Sequence, residues 1–179
     1  MLESEEGQRN AVFACFGSAA QQSQYFEVAL GDFLLVYNKI CKKSLTLQDI
    51  ESMEAKLGKQ TMGTLLMEFK KHVKINDDKI ASQMDAALQK RNFLMHHFFR
   101  ERNERFDTEQ GRMEMLKELV GVDSELRMAK DMTNGMRVAL CRTLNYNDGA
   151  EDSDQGDGGT SSNGLFSAEI NIPSLEDGS

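Results

Sequence analysis

The 179-residue sequence has one proline and no tryptophan, and it carries no lysine or arginine beyond Arg142. So little proline leaves helices free to run unbroken. Its three cysteines, Cys15, Cys41 and Cys141, are widely spaced and form no C-x-x-C, which argues against a disulfide framework or a zinc site and fits a reducing, cytoplasmic setting. No apolar run approaches the roughly 20 residues of a membrane helix, and the acidic opening MLESEEGQRN lacks the basic start of a signal peptide. Membrane insertion and secretion are not expected. The sequence also lacks G-x-x-x-x-G-K-[ST], G-x-S-x-G and a G-x-G-x-x-G following a strand, so a nucleotide hydrolase, an esterase and a dinucleotide enzyme have no motif. His72, His96 and His97 form neither H-x-x-x-H nor E-x-x-H, and no metal or cofactor is expected.

Acidic residues number 29 against 21 basic ones, but the eight acids after Arg142 account for the whole net charge of -8. The rest is formally neutral, so overall charge does not exclude a nucleic-acid partner. After Leu144 the composition turns to NYNDGAEDSDQGDGGTSSNG, with too few apolar groups to offset the entropy of ordering it. The expected organisation is a helical domain over 1–145 and a disordered acidic tail over 146–179. Within that tail LFSAEINIPSL, residues 165–175, alternates in character. Strand addition to a partner, docking in a groove and chance composition all account for so short a run.

The rest of the chain predicts an all-α fold. Phe26, Leu30, Phe33, Leu34, Tyr37 and Cys41 recur at helical spacing in a long first helix from about Arg9 to Ile40. Thr46 with Asp49 forms an approximate capping box for a short helix over 47–57, and Gly58 stands where a helix ends in the left-handed conformation. A third helix is expected over Thr61–Val73, with Leu65, Leu66, Phe69 and Val73 on one face. Asp77 and Asp78 offer caps for a fourth, running to about Arg105 with Ile80, Met84, Ala87, Leu94 and Phe98 inward. From near Thr108, Met115, Leu119, Val122, Leu126, Ala129, Met136 and Leu140 mark one bent helix or two collinear ones, interrupted by Gly121 and Gly135.

One segment departs from this pattern. On a continuous helix Arg91 lies within about 20 degrees of Ile80, Met84 and Phe98, where the core stripe expects a leucine. A guanidinium there must find a carboxylate, face a groove or face another subunit. Asn92 and His96 share a second face, about 100 to 140 degrees round from Arg91. A long arginine side chain, a helix break near 91 or a second protomer would each close that gap.

Arg91, Asn92 and His96 resemble the R-x4-H motif of the HEPN superfamily in its R-N form. The surroundings are similar to small bacterial HEPN-like helical proteins, through Thr61-Met62-Gly63-Thr64-Leu65-Leu66, RNFLMHHFFRE, and Glu109-Gln110-Gly111-Arg112 with Met115-Leu116, over roughly residues 45–120. The resemblance implies an antiparallel four- to five-helix bundle that forms a homodimer, with two motif copies lining one cleft that often cuts RNA without a metal. His96 would then do general acid/base work, Arg91 would hold the phosphate and Asn92 would orient either one. His97, Arg100 and Glu101 are candidate accessory groups. A toxin–antitoxin setting, with a cognate antitoxin or another protein as partner, also belongs to that family. Members with R-x4-H-x-Y carry a tyrosine that a partner nucleotidyltransferase modifies; here the position is Phe98, which has no hydroxyl to accept the group.

The rival reading is a noncatalytic helical interaction protein in which Arg91 is a buried ion pair, the histidines are structural or solvated, and the acidic tail recruits partners. Lys90, Arg91, Arg100, Arg102 and Arg105 cluster beside Glu101, Glu104 and Asp107. They form either a weak basic groove, which the acidic tail would shield, or a solvated helix end laced with ion pairs such as Arg100 with Glu104. The two readings separate on exposure. Catalysis needs Arg91 and His96 open to one cleft, whereas the structural role needs Arg91 covered against a carboxylate.

Overall fold

The computed structural model describes residues 4–42, 45–146 and 168–171. These are mostly helical, as the spacing predicts: α1 Glu5–Cys41, α2 Leu47–Leu57, α3 Met62–His72, α4 Asp78–His96, α5 Phe98–Glu101, α6 Asn103–Phe106 and α7 Glu109–Thr143, with two short strands, β1 Val73–Ile75 and β2 Ala168–Ile170. None of these helices is long and apolar enough to cross a membrane. The chain forms two compact units, Met1–Ala29 with Ser82–Met132, and Leu30–Ala81 with Thr133–Ser179. The first carries the candidate motif.

In the first unit most of the expected inward positions are buried, joined by Val12 and Ala19, whereas Ile80 at the start of α4 is only half-buried. Val12, Ala19 and Phe26 of α1, Met84, Ala87 and Leu94 of α4, Phe98, and Met115, Leu119, Val122, Leu126 and Ala129 of α7 are all buried. At the start of the helix, in the second unit, Asp77 caps α4 as expected, its carboxylate accepting from the Lys79 and Ile80 amides at 2.8 and 3.4 Å. The expected run of α4 to Arg105 is corrected: the helix ends at His96, and two single-turn helices follow. The chain bends at His97 (φ -128°, ψ -25°) and again at Arg102 (φ -113°, ψ 12°). Tertiary packing accounts for the bends. Phe99 lies 5.6 Å from Phe13, 4.9 Å from Phe16 and 6.0 Å from Phe106, ring centre to ring centre. Arg102 clamps Glu118 on α7 with two 2.9 Å hydrogen bonds. Aromatic burial and a bidentate guanidinium–carboxylate pair outweigh the local helical preference of this segment.

The turn into α7 depends on close contact. Arg112 is 4% exposed, and its guanidinium donates to Gln8 Oε1 at 2.9 Å and to the Phe106 carbonyl at 3.1 Å. Helix α7 is continuous from Glu109 to Thr143. A Cβ at Gly121 or Gly135 would meet nothing within 4 Å, so these glycines neither break nor crowd the helix.

In the second unit the capping box of α2 is complete, with Asp49 N–H donating to Thr46 Oγ1 at 3.2 Å and Thr46 N–H to Asp49 Oδ2 at 2.9 Å. Hydrogen bonds from the Thr46 side chain and backbone hold the Asp49 carboxyl below the ordinary range. Gly58 differs from expectation: at φ -64° it is right-handed, and its amide closes α2 by bonding the Glu54 carbonyl at 2.9 Å. Helix α3 runs from Met62 with Thr61 as its cap, and Met62, Leu65, Leu66 and Phe69 are buried with Val73 beyond them.

Ala168–Ile170 pairs antiparallel with Val73–Ile75 in the register Val73 to Ile170, Lys74 to Glu169 and Ile75 to Ala168. Ala168–Ile170, inside the span expected to be disordered, therefore adds a strand to its own chain. Residues 147–167 and 172–179 lie outside the described residues. The Tyr37 hydroxyl donates to the Asn171 carbonyl, and its ring stacks on His72 with centres 4.1 Å apart. Burial, helped by a hydrogen bond with Cys41, pushes the Tyr37 hydroxyl from its ordinary 10.0 up to about 12. A raised acid pKa contributes stability that is complete below pH 10 and is lost as pH rises from 10 through about 12. An absorbance titration should show a tyrosinate step near pH 12 that disappears in Tyr37→Phe.

Candidate functional site

Arg91 reaches its position because α4 carries it through the core stripe between Met84 and Phe98, both of which are buried. It solves its burial problem with a carboxylate on α1. Its Nη2 stands 3.7 Å from Glu27 Oε2, with the two side chains 24% and 34% exposed. Its Nη1 donates to Asn92 Oδ1 at 3.1 Å. The Nε atom is buried and meets no acceptor among the described residues. The Arg91 guanidinium and Asn92 amide of α4 and the Glu27 carboxylate of α1 thus form one group.

His96 ends α4 with its side chain exposed. Because the helix is continuous from Asp78 to His96, the helix break that would have turned Arg91 toward His96 is absent, and the two side chains leave the axis about 140 degrees apart. His96 belongs instead with the groups that follow it. Its ring meets the His97 ring edge to face at 6.4 Å. His97 Nδ1 lies 2.5 Å from Arg100 Nη2 and 3.6 Å from Glu101 Oε1. Arg100 and Glu101, two of the accessory candidates, therefore both contact the third, His97, while Arg91 and Asn92 form a separate pair.

The neighbouring bases are largely engaged. Lys90 lies 3.8 Å from Glu125, Arg105 lies 3.9 Å from Glu114, and Arg102 pairs with Glu118 while stacking over Phe93 at 4.9 Å. Hydrogen bonding to Glu118 pushes the Arg102 guanidinium above its ordinary range and fixes it as a cation. Arg100 is exposed and contacts His97. Among the described residues no group of three or more His, Cys, Asp or Glu could hold a metal ion.

Glu27 and Glu118 are the partners that sequence reading did not name. The need for a carboxylate opposite Arg91 follows from its place on the stripe, but no spacing rule links it to a residue on α1. No protein-family model matches the chain, and neither a curated protein nor a solved structure does so.

Proposed function

We propose that the chain is a HEPN-like helical-bundle protein that binds and cleaves RNA at Arg91, Asn92 and His96 without a metal, its site completed between two copies. The observation that supports this reading is His96, exposed at the end of α4 beside His97, Arg100 and Glu101; Arg91, covered against Glu27 in its own copy, enters the site from the other. Arg91 is oriented by Asn92 and Glu27 on one side, and His96 is open to solvent on another. The two side chains leave α4 about 140 degrees apart, which favours a site shared between copies. A two-fold axis would bring the His96 of one copy opposite the Arg91 of the other.

In that arrangement an imidazole accepts the ribose 2′ proton as the 2′ oxygen bonds to phosphorus. The bond from phosphorus to the 5′ oxygen breaks, and a water molecule returns a proton to that leaving oxygen. The guanidinium binds the phosphate oxygens as their charge grows. Arg100 adds positive charge beside His97, and Glu27 restrains Arg91. A protein partner that restrains the enzyme would act by binding, since Phe98 offers no hydroxyl for nucleotidyl transfer.

The second reading, a noncatalytic interaction protein, draws support from the coverage of the Arg91 side chain, 24% exposed against Glu27. Cleavage of RNA by the purified full-length protein in EDTA separates the two. His96→Ala is expected to lower the rate by about 10²- to 10⁴-fold with unchanged circular dichroism. A wild-type protein that does not cut, or variants that cut as well as wild type, would leave the interaction reading in its place.

A further inference from the structure

The pairing of β1 with β2 is not a local hairpin. Asn76 Nδ2 donates to Glu169 Oε1 at 3.2 Å across 93 positions of the chain, and residues 147–167 separate the end of the α7 turn from β2. No short turn imposes this register, so its determinants lie in the two segments themselves. On the receiving side, Val73 is buried, Ile75 is half-buried, and Lys74 Nζ stands 3.6 Å from Glu169 Oε2. The His72 carbonyl accepts from the Asn171 amide at 2.8 Å, and the Tyr37 hydroxyl donates to the Asn171 carbonyl. On the arriving side, Ala168 and Ile170 are half-buried and Glu169 is exposed, the alternation a strand requires.

These are the ingredients of peptide recognition by strand addition: ladder hydrogen bonds for affinity, alternate side chains and one charge for selectivity. Without β2, the three-residue β1 would present an unpaired edge. We propose that β1, Tyr37, His72 and Asn76 form a docking site for an extended peptide of the order small apolar, acidic, aliphatic, asparagine. Ala168–Asn171 is its tethered resident, and a free peptide of the same chemistry displaces it. The site is independent of the RNA reading.

The probe is a fluorescent peptide of residues 165–175, LFSAEINIPSL, titrated into the full chain. Tethering keeps the resident strand at an effective concentration on the order of millimolar, so wild type should bind the probe at least about tenfold more weakly than a chain whose own strand is disabled. Asn171→Pro removes the amide that His72 receives, and Glu169→Lys sets a lysine opposite Lys74. Both variants are expected to bind the probe and to keep their helices by circular dichroism. A probe with lysine in place of its glutamate should bind both more weakly than the glutamate probe, and should regain affinity for Asn171→Pro once Lys74→Glu is added. Should either variant lose its helices, excess unlabelled peptide must instead speed hydrogen exchange at the Asn171 amide of wild type. Variants that bind no better than wild type, a lysine probe that binds as well as the glutamate probe, or an Asn171 amide indifferent to peptide would each overturn the proposal.

Discussion

Gly111→Ala is expected to destabilise the protein by about 3 kcal/mol and lower its melting temperature by roughly 6 to 12 °C. An alanine Cβ at this position would stand 2.1 Å from the Arg105 carbonyl oxygen and 2.6 Å from the Arg105 Cα. These are backbone atoms of α6, not the end of a flexible side chain, so the first turn of α7 and the 102–108 segment must move apart. That movement also pulls Phe106 from Arg112. Alanine ordinarily gains about 1 kcal/mol over glycine inside a helix, and this gain is smaller than the clash. Gly121→Ala and Gly135→Ala, with open space around the added methyl, should show that gain alone and stabilise the chain by about 0.5 to 1 kcal/mol each. Thermal melts of the three variants side by side check the reasoning, because the same chemical change carries opposite signs at different positions.

Arg112→Ala should be at least as costly, about 4 kcal/mol by denaturant unfolding. The wild-type side chain is 5% exposed and joins three parts of the first unit: Gln8 on α1, the Phe106 carbonyl on α6, and Glu5, whose carboxylate lies 4.0 Å away. Truncation leaves the Gln8 and Phe106 oxygens without their donor in a covered site, each worth about 1 to 3 kcal/mol, and opens a space where the stem packed. The Glu5 contact is a minor contribution, since that carboxylate is largely exposed. Arg112→Lys keeps the charge but replaces a planar fork with a single ammonium that reaches one acceptor at a time, and about half the loss should remain.

Gly111 and Arg112 also show where sequence reasoning reaches. Both stood in the segment of family resemblance, but nothing in their spacing told that the first admits the Arg105 backbone and the second ties down Phe106. The inward faces of α1, α3, α4 and α7 were legible because periodic burial writes a periodic pattern, and Met115, Leu119, Val122, Leu126, Ala129, Met136 and Leu140 are all buried as that pattern requires. The bend after His96 was not, since Phe98, Phe99 and Arg102 suit a helix locally and are diverted by Phe13, Phe16 and Glu118, residues distant in the chain. Arg91 was legible as a misfit on its stripe, whereas its partner Glu27 was not, because a contact between helices leaves no mark at a fixed interval. The alternation in Ala168–Ile170 was visible, but three residues carry too little period to name β1 as the edge they meet.

The measurement that bears most directly on a shared RNA site is complementation between two inactive copies. Arg91→Ala and His96→Ala chains carrying different tags are co-expressed, the heterodimer is isolated through both tags, and RNA cleavage is followed in EDTA beside each parent homodimer. One composite site in the heterodimer retains both an intact Arg91 and an intact His96, so about half of wild-type activity should return while each parent homodimer stays inactive. A heterodimer as inactive as its parents, or parents that cut like wild type, would contradict a site built from Arg91 of one copy and His96 of the other.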